Sequence, residues 1–174
     1  KLYCPFVKLS GEPIEYVNSV KYLGVLLSSA SADTEDMKRQ IRSLYARGNM
    51  LIRKFSMCSE DVKLHLFKTY CTGFYCAHLW SNYTQHAFNK VKVAYNNAFR
   101  FLFKYDRQCS ARSMLVMNNV PFFDSIIRKS IYDFRSRVNE SGNALVITLR
   151  NNFTVQSGAM FTGWCQRLYC NHVN

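Results

Sequence analysis

The sequence predicts an α+β chain, mainly α: short N-terminal antiparallel strands followed by a helical bundle. Three observations predict it. Turn residues and β-branched or aromatic residues crowd the first 28 positions, as in "SGEP" and "VKYLGVLL". Apolar residues recur at helical spacing from 37 to 138. Only 7 Gly and 3 Pro punctuate 174 residues, which leaves room for long helices.

The elements follow in order. "KLYCPFVKL" (1–9) reads as a strand, and "SGEP" (10–13) as the turn of a hairpin. "IEYVN" (14–18) and "VKYLGVLL" (20–27) read as two more strands. The last is too continuously apolar for one wet face, so a buried sheet position is expected. Ser31 or Asp33 is placed to cap the next helix, with Glu35 and Asp36 in its first turn, where the helix dipole favours anions. Met37, Ile41, Leu44, Tyr45, Gly48, Leu51, Ile52 and Phe55 then fall within an arc of about 120° on a helical projection. Lys38, Arg39, Arg42, Arg47, Arg53 and Lys54 all lie outside that arc, and no acid occurs from 37 to 59. One face is therefore expected in the core and the other wholly cationic.

Ser59, Glu60 and Asp61 open a second helix, with Val62, Leu66, Phe67 and Tyr70 inward and a continuation to Trp80 loosened at Gly73. The third covers 85–104, with Phe88, Val91, Tyr95, Phe99, Leu102 and Phe103 as its stripe. "SARSMLVMNN" (110–119) is a short helix. Pro121 opens another, with Phe122, Ile126, Ile127, Ile131, Phe134 and Val138 inward, and "NESG" stops it. "ALVITLRN" (144–151) suits helix or strand, and 152–174 holds no period and reads as a tail.

Charge narrows the function. The net charge is +12, unevenly spread: residues 1–36 sum to −2 and residues 37–174 to +14. A cationic body suits a polyanion, nucleic acid before a membrane surface. Lys90, Lys92, Arg100 and Lys104 extend the basic faces to the third helix, and Arg128, Lys129, Arg135 and Arg137 to the fifth. The residues expected to bind nucleic acid are Lys38, Arg39, Arg42, Arg53, Lys90, Lys92, Arg128 and Lys129. For one such face alone a solvated helix surface is the plainer reading, but here the bias covers several helices. No apolar stretch approaches the ~18 residues of a membrane span.

Catalytic patterns are sparse. Glu35/Asp36 and Glu60/Asp61 sit at helix starts, where the dipole explains them, and Asp-Asp does not occur. No glycine-rich phosphate loop occurs either. The seven cysteines, an odd count without a secretory signal, read as reduced intracellular thiols, mostly small core residues. Cys71-x4-Cys76-x-His78 and Cys165-x4-Cys170-x-His172 repeat one spacing, but neither supplies four ligands in a familiar zinc order. No metal or cofactor is assigned to the chain; Cys165, Cys170 and His172 are the weak candidates. Lys1 opens on a strand-like segment rather than a leader peptide, so a fragment of a longer polypeptide is expected.

Taken in order, "VKYLGVLL", the basic helix, "KLHLFKTYCTGFYCAHLW", "AYNNAFRFLF" and "SARSMLVMNNVPFFDSIIRKSIYDFRSRV" have a familiar arrangement. Over residues 14–138 the chain resembles the C-terminal part of the reverse transcriptase of non-LTR (LINE-type) retrotransposons. The resemblance implies that 1–28 is the end of a palm with a primer-grip hairpin. It makes 29–138 a helical thumb-like domain and 139–174 a downstream segment and tail. It assigns Lys21, Tyr22, Leu23 and Gly24 to the primer grip. Gly24, in a buried strand, would let another backbone or a nucleic-acid strand approach closely. The family's Asp-Asp motif and fingers are missing, so the chain by itself is expected to be inactive as an RNA-directed DNA polymerase. Its implied partners are a template–primer duplex of RNA and DNA and the upstream palm and fingers of the parent chain, whose chemistry implies Mg²⁺. An intracellular, nuclear location goes with that reading. Two alternatives stand beside it: a DNA- or RNA-binding module without polymerase context, and a helical protein-interaction domain.

Overall fold

The computed structural model describes residues 7–29 and 33–151. Two antiparallel strand pairs precede six helices. Strand β1 (Lys8–Leu9) pairs with β2 (Glu12–Pro13), and β3 (Ser19–Tyr22) with β4 (Val25–Ser28). Helix α1 (Thr34–Phe55), α2 (Glu60–Cys71), α3 (Gln85–Leu102), α4 (Ala111–Met117), α5 (Phe123–Glu140) and α6 (Ala144–Asn151) follow, with a 3-10 turn at Ala77–Leu79.

Both hairpins turn on two residues with positive φ: Ser10 (51°) with Gly11 (89°), and Leu23 (45°) with Gly24 (80°). That is the turn type whose twist matches antiparallel strands. The apolar run 20–27 is thus a hairpin and not one buried strand, and 14–18 is not a strand. Val20, Tyr22, Leu23 and Leu27 are exposed, because among the described residues no second layer covers the pair. Gly24 is explained by the turn and by Tyr75. A Cβ built there would meet the Tyr75 ring at 3.0 Å. The Tyr75 hydroxyl donates to the Leu23 carbonyl at 2.9 Å. The neighbour that approaches Gly24 is this side chain of the same chain.

The core lies where α1 packs on α3, with α2, α4 and α5 around them. Gly48 of α1 meets Ala98 of α3, so the two helices approach closely. The expected stripe of α3 is buried except Phe103, which is partly covered. Phe67, Phe74, Phe88, Tyr95, Phe99 and Phe123 interlock edge-on or tilted, as in Phe67–Phe99 at 5.0 Å and Phe74–Phe123 at 5.1 Å between centroids. Residues 144–151 resolve as helix. Helix α2 ends at Cys71 instead of reaching Trp80, and Val62 and Tyr70 are exposed. Of the four cysteines among the described residues, only Cys71 is in the core.

The stretch that fails to be helix, 73–82, is held by one flank of α1. Residues 36, 40, 43 and 47 share that flank by their spacing of three and four. Asp36, only 2% exposed, accepts from Trp80 Nε1 at 3.0 Å. Gln40, equally buried, donates to the Tyr75 carbonyl at 2.9 Å. Arg47 donates to the Gly73 carbonyl at 3.1 Å. One turn earlier, the Asp33 carboxylate accepts from the backbone N–H of Ser81 at 2.6 Å and Asn82 at 2.7 Å. Asp33 stands at the N-cap position, but its side chain bonds this loop and not the first turn of α1. Ser31 lies outside the described residues.

Replacing Asp36 by Ala should cost about 3 kcal/mol, the scale for stranding a partner of a buried charge. Chemical denaturation checks this, and a cost within ~0.5 kcal/mol, the scale of a surface substitution, would show that the carboxylate does not anchor the segment. Gly24→Val forces a branched residue into positive φ at a cost of about 1–3 kcal/mol and presses on Tyr75. Hydrogen exchange should quicken at residues 19–28 while the α3 amides keep their protection.

Candidate nucleic-acid interface

The cations of α1 divide by geometry. Arg39 is not free on a solvated face: its guanidinium contacts the Asp36 carboxylate at 2.7 Å, and Nε donates to it at 2.8 Å. Buried Asp36 and its neighbour therefore hold each other, which removes Arg39 from the readily available phosphate ligands. Arg47 is likewise committed, to Gly73 and to the Ser43 carbonyl. Lys38 is exposed and paired with Glu35 at 2.6 Å. Arg42 and Arg53 are exposed, and neither has an ion pair among the described residues. Eleven residues apart, they point the same way, about 16 Å apart along the axis at ~1.5 Å per residue. The expected uniform cationic face thus reduces to Lys38, Arg42, Arg53 and Lys54.

On α3, Lys90 is exposed beside a shallow groove of about 390 Å³ shared with α1 and lined by Ile41, Tyr45, His86 and Asn89. The groove lies next to Lys38 and Arg42 on the α1 surface, because its lining residues Ile41 and Tyr45 are three residues on from 38 and 42. Lys92 is across the helix from Lys90 and pairs with Asp124 at 2.7 Å. Arg100 donates to Asn97 at 2.7 Å and to the Cys109 carbonyl at 3.1 Å, a structural role. On α5, Lys129 pairs with Asp133 at 3.2 Å, and Arg128 Nε donates to the Asp124 carbonyl at 3.4 Å. Lys92 and Arg128 line a second cleft, where Arg112 of α4 joins them. Arg112 was not a sequence candidate; on a seven-residue helix no periodicity marks its face.

The structure therefore brings the eight candidates together in parts. Lys38, Arg42 and Lys90 flank one groove, Arg53 lies farther along the same side of α1, and Lys92 and Arg128 share the other cleft. Lys129 stands apart on α5, and Arg39 belongs to the internal anchor. The Lys21–Gly24 hairpin presents an exposed lysine and two exposed large apolar side chains, Tyr22 and Leu23. Its body is tied to the start of α1 through Asp36, whose Oδ1 faces the Leu26 N–H at 3.5 Å.

A metal has no seat in the described residues: no three His, Cys, Asp or Glu side chains converge. Both Asp36 oxygens are engaged, by Trp80 and Arg39. Burial pushes the Cys71 thiol up to about 11, against the pull of Arg47, so it remains protonated at neutral pH. His78 lies 4.3 Å from the Phe134 ring, stacked on it, with Nδ1 3.3 Å from Ser130 Oγ. Cys165, Cys170 and His172 lie outside the described residues. Among the described residues no helix is long and apolar enough to cross a membrane.

No family model, curated protein or solved structure matches this chain.

His78 gives a pH prediction. Burial first, and the Arg137 charge second, hold its imidazole below the ordinary 6.5. The folded chain therefore binds fewer protons than the unfolded one in acid. Stability should be full above about 6.5 and fall as pH drops through the lowered folded value. His78→Gln should flatten that part of the melting-temperature profile between neutral and mildly acidic pH; an unchanged profile would place the acid sensitivity elsewhere.

Proposed function

We propose that this chain grips a template–primer duplex as the palm end and thumb-like part of a reverse transcriptase, with its carboxylates and fingers supplied by an upstream segment. One observation carries the reading: the "KYLG" hairpin is fastened to α1, the helix that also bears the free cations Arg42 and Arg53. Asp36 of α1 accepts from the Leu26 N–H, and Tyr75, held by Gln40 of α1, closes on the turn, so direct contacts join the apolar tip to the helix that carries the proposed phosphate contacts. In this reading Arg42, Arg53 and Lys90 contact phosphates, and the exposed face of Val20, Tyr22 and Leu27 is covered by the upstream palm. Lys38 adds a phosphate contact when it exchanges Glu35 for the duplex. Localisation in the nucleus goes with this function.

A protein-interaction domain is the second reading. It is favoured by the same exposed apolar hairpin, and salt separates the two. Duplex binding through these four phosphate contacts gives a log–log salt slope of about −3.6. Arg42→Glu with Arg53→Glu should weaken binding of an RNA–DNA duplex about tenfold and leave the melting temperature unchanged. The 174-residue chain should bind that duplex without extending its primer. Absence of salt-dependent duplex binding would favour the protein-interaction reading, and metal-dependent extension by the isolated chain would overturn the division of labour.

A further inference from the structure

The cleft between α3, α4 and α5 has a composition that its role in packing does not require. It encloses about 410 Å³ and is lined by Lys92, Asn96, Arg112, Phe122, Asp124 and Arg128 among others. Three cations meet one acid there. Lys92 takes that acid at 2.7 Å, which leaves two guanidinium groups in excess. Arg128 is half-buried, and its Nε is spent on the Asp124 carbonyl at 3.4 Å. Its terminal nitrogens have no further protein acceptor among the described residues. Arg112 is exposed and has no ion pair among them. Two unneutralised guanidiniums on one concave surface repel each other and favour an anion between them, and their planar forks match phosphate oxygens.

The rest of the lining adds a second requirement. Half-buried Phe122 gives the floor its accessible aromatic face, with the buried side chains of Leu115 and Phe123 beneath it. The cavity is larger than a lone phosphate needs and lies within the range of about 300–1,000 Å³ usual for small-molecule sites. An aromatic floor beneath a cationic rim is the environment that unstacked bases and their phosphates select. Asn96 and Ser125 supply neutral donors and acceptors at the wall.

We propose that this cleft binds a single unpaired nucleotide, its phosphate held by Arg112 and Arg128 and its base against the Phe122 floor. A free mononucleotide and the unpaired end of a strand offer the same chemistry. The proposal rests on the duplex-grip reading only for the second source.

The test uses the full chain, titrated calorimetrically with adenosine monophosphate, adenosine and inorganic phosphate. Anisotropy follows blunt RNA–DNA duplex and the same duplex with a short single-stranded overhang. The monophosphate should bind, with adenosine and phosphate each about tenfold weaker or more. Arg112→Glu with Arg128→Glu should abolish that binding, whereas Arg42→Glu with Arg53→Glu should leave it intact. Arg112→Ala, at an exposed position, gives the same direction of change should the double variant fold poorly. An overhang advantage of about tenfold that disappears in the cleft variant assigns the site to strand ends. Monophosphate binding without an overhang advantage assigns it to free mononucleotide. Absence of both in the unaltered chain, or survival of both in the cleft variant, overturns the proposal. Loss of blunt-duplex binding alone refutes the duplex grip and leaves the cleft standing.

Discussion

The fold depends on the polar flank of α1. A long amphipathic helix could pack on α3 through Leu44, Gly48 and Leu51 alone, and that would settle two helices. It would leave 73–82 without a path, because that stretch makes no continuous helix and must place its backbone groups somewhere. Asp33, Asp36, Gln40 and Arg47 meet that need in sequence, turn by turn, taking Ser81 and Asn82, then Trp80, Tyr75 and Gly73. The chain runs antiparallel to α1 along these contacts. The aromatic interior then follows, because Phe74 and Trp80 are carried into the core by the same stretch.

The same flank governs which charges are available. Burying Asp36 is tolerable only with charge and hydrogen-bond partners, and Arg39 with Trp80 supply them. An arginine that reads as surface in a helical projection becomes an internal counterion. Arg47 becomes a backbone anchor by the same logic. Positive charge remains where no such demand exists, at Arg42 and Arg53 about a third of a turn around α1 from that flank and at Lys90 across the groove. A chain with a large positive excess can thus hold a smaller and more localised binding surface than its composition suggests.

The hairpin shows how a local turn is made useful by a distant residue. Two-stranded hairpins are marginal alone, and a leucine with positive φ adds strain to this one. Tyr75 offsets this by closing on the turn with its ring at Gly24 and its hydroxyl on Leu23. Tyr75 is itself placed by Gln40, whose amide holds its backbone carbonyl. A buried glutamine on α1 therefore positions the exposed "KYLG" tip two contacts away.

Much of this was legible in the residues. The stripe of α3 from Phe88 to Leu102, the apolar seam of α1, the termination of α5 after Val138 and the mixed fold class all follow from periodicity and turn chemistry, which act over a few residues. The buried arc of α1 includes Asp36 and Gln40, while Tyr45 and Ile52 are only half covered, and no periodicity argument points to polar residues in a core. Helix α2 stops before Gly73 because the segment beyond it finds partners on α1, contacts separated by some 26–49 residues. That Arg112 and Arg128 line one cleft is likewise a product of how α4 and α5 each pack on α3. Sequence by itself determined the elements and the sign of the charge, since both depend on neighbouring residues. Tertiary structure decided which charges are spent inside and which face a ligand, because a side chain's partner is set by packing across the chain.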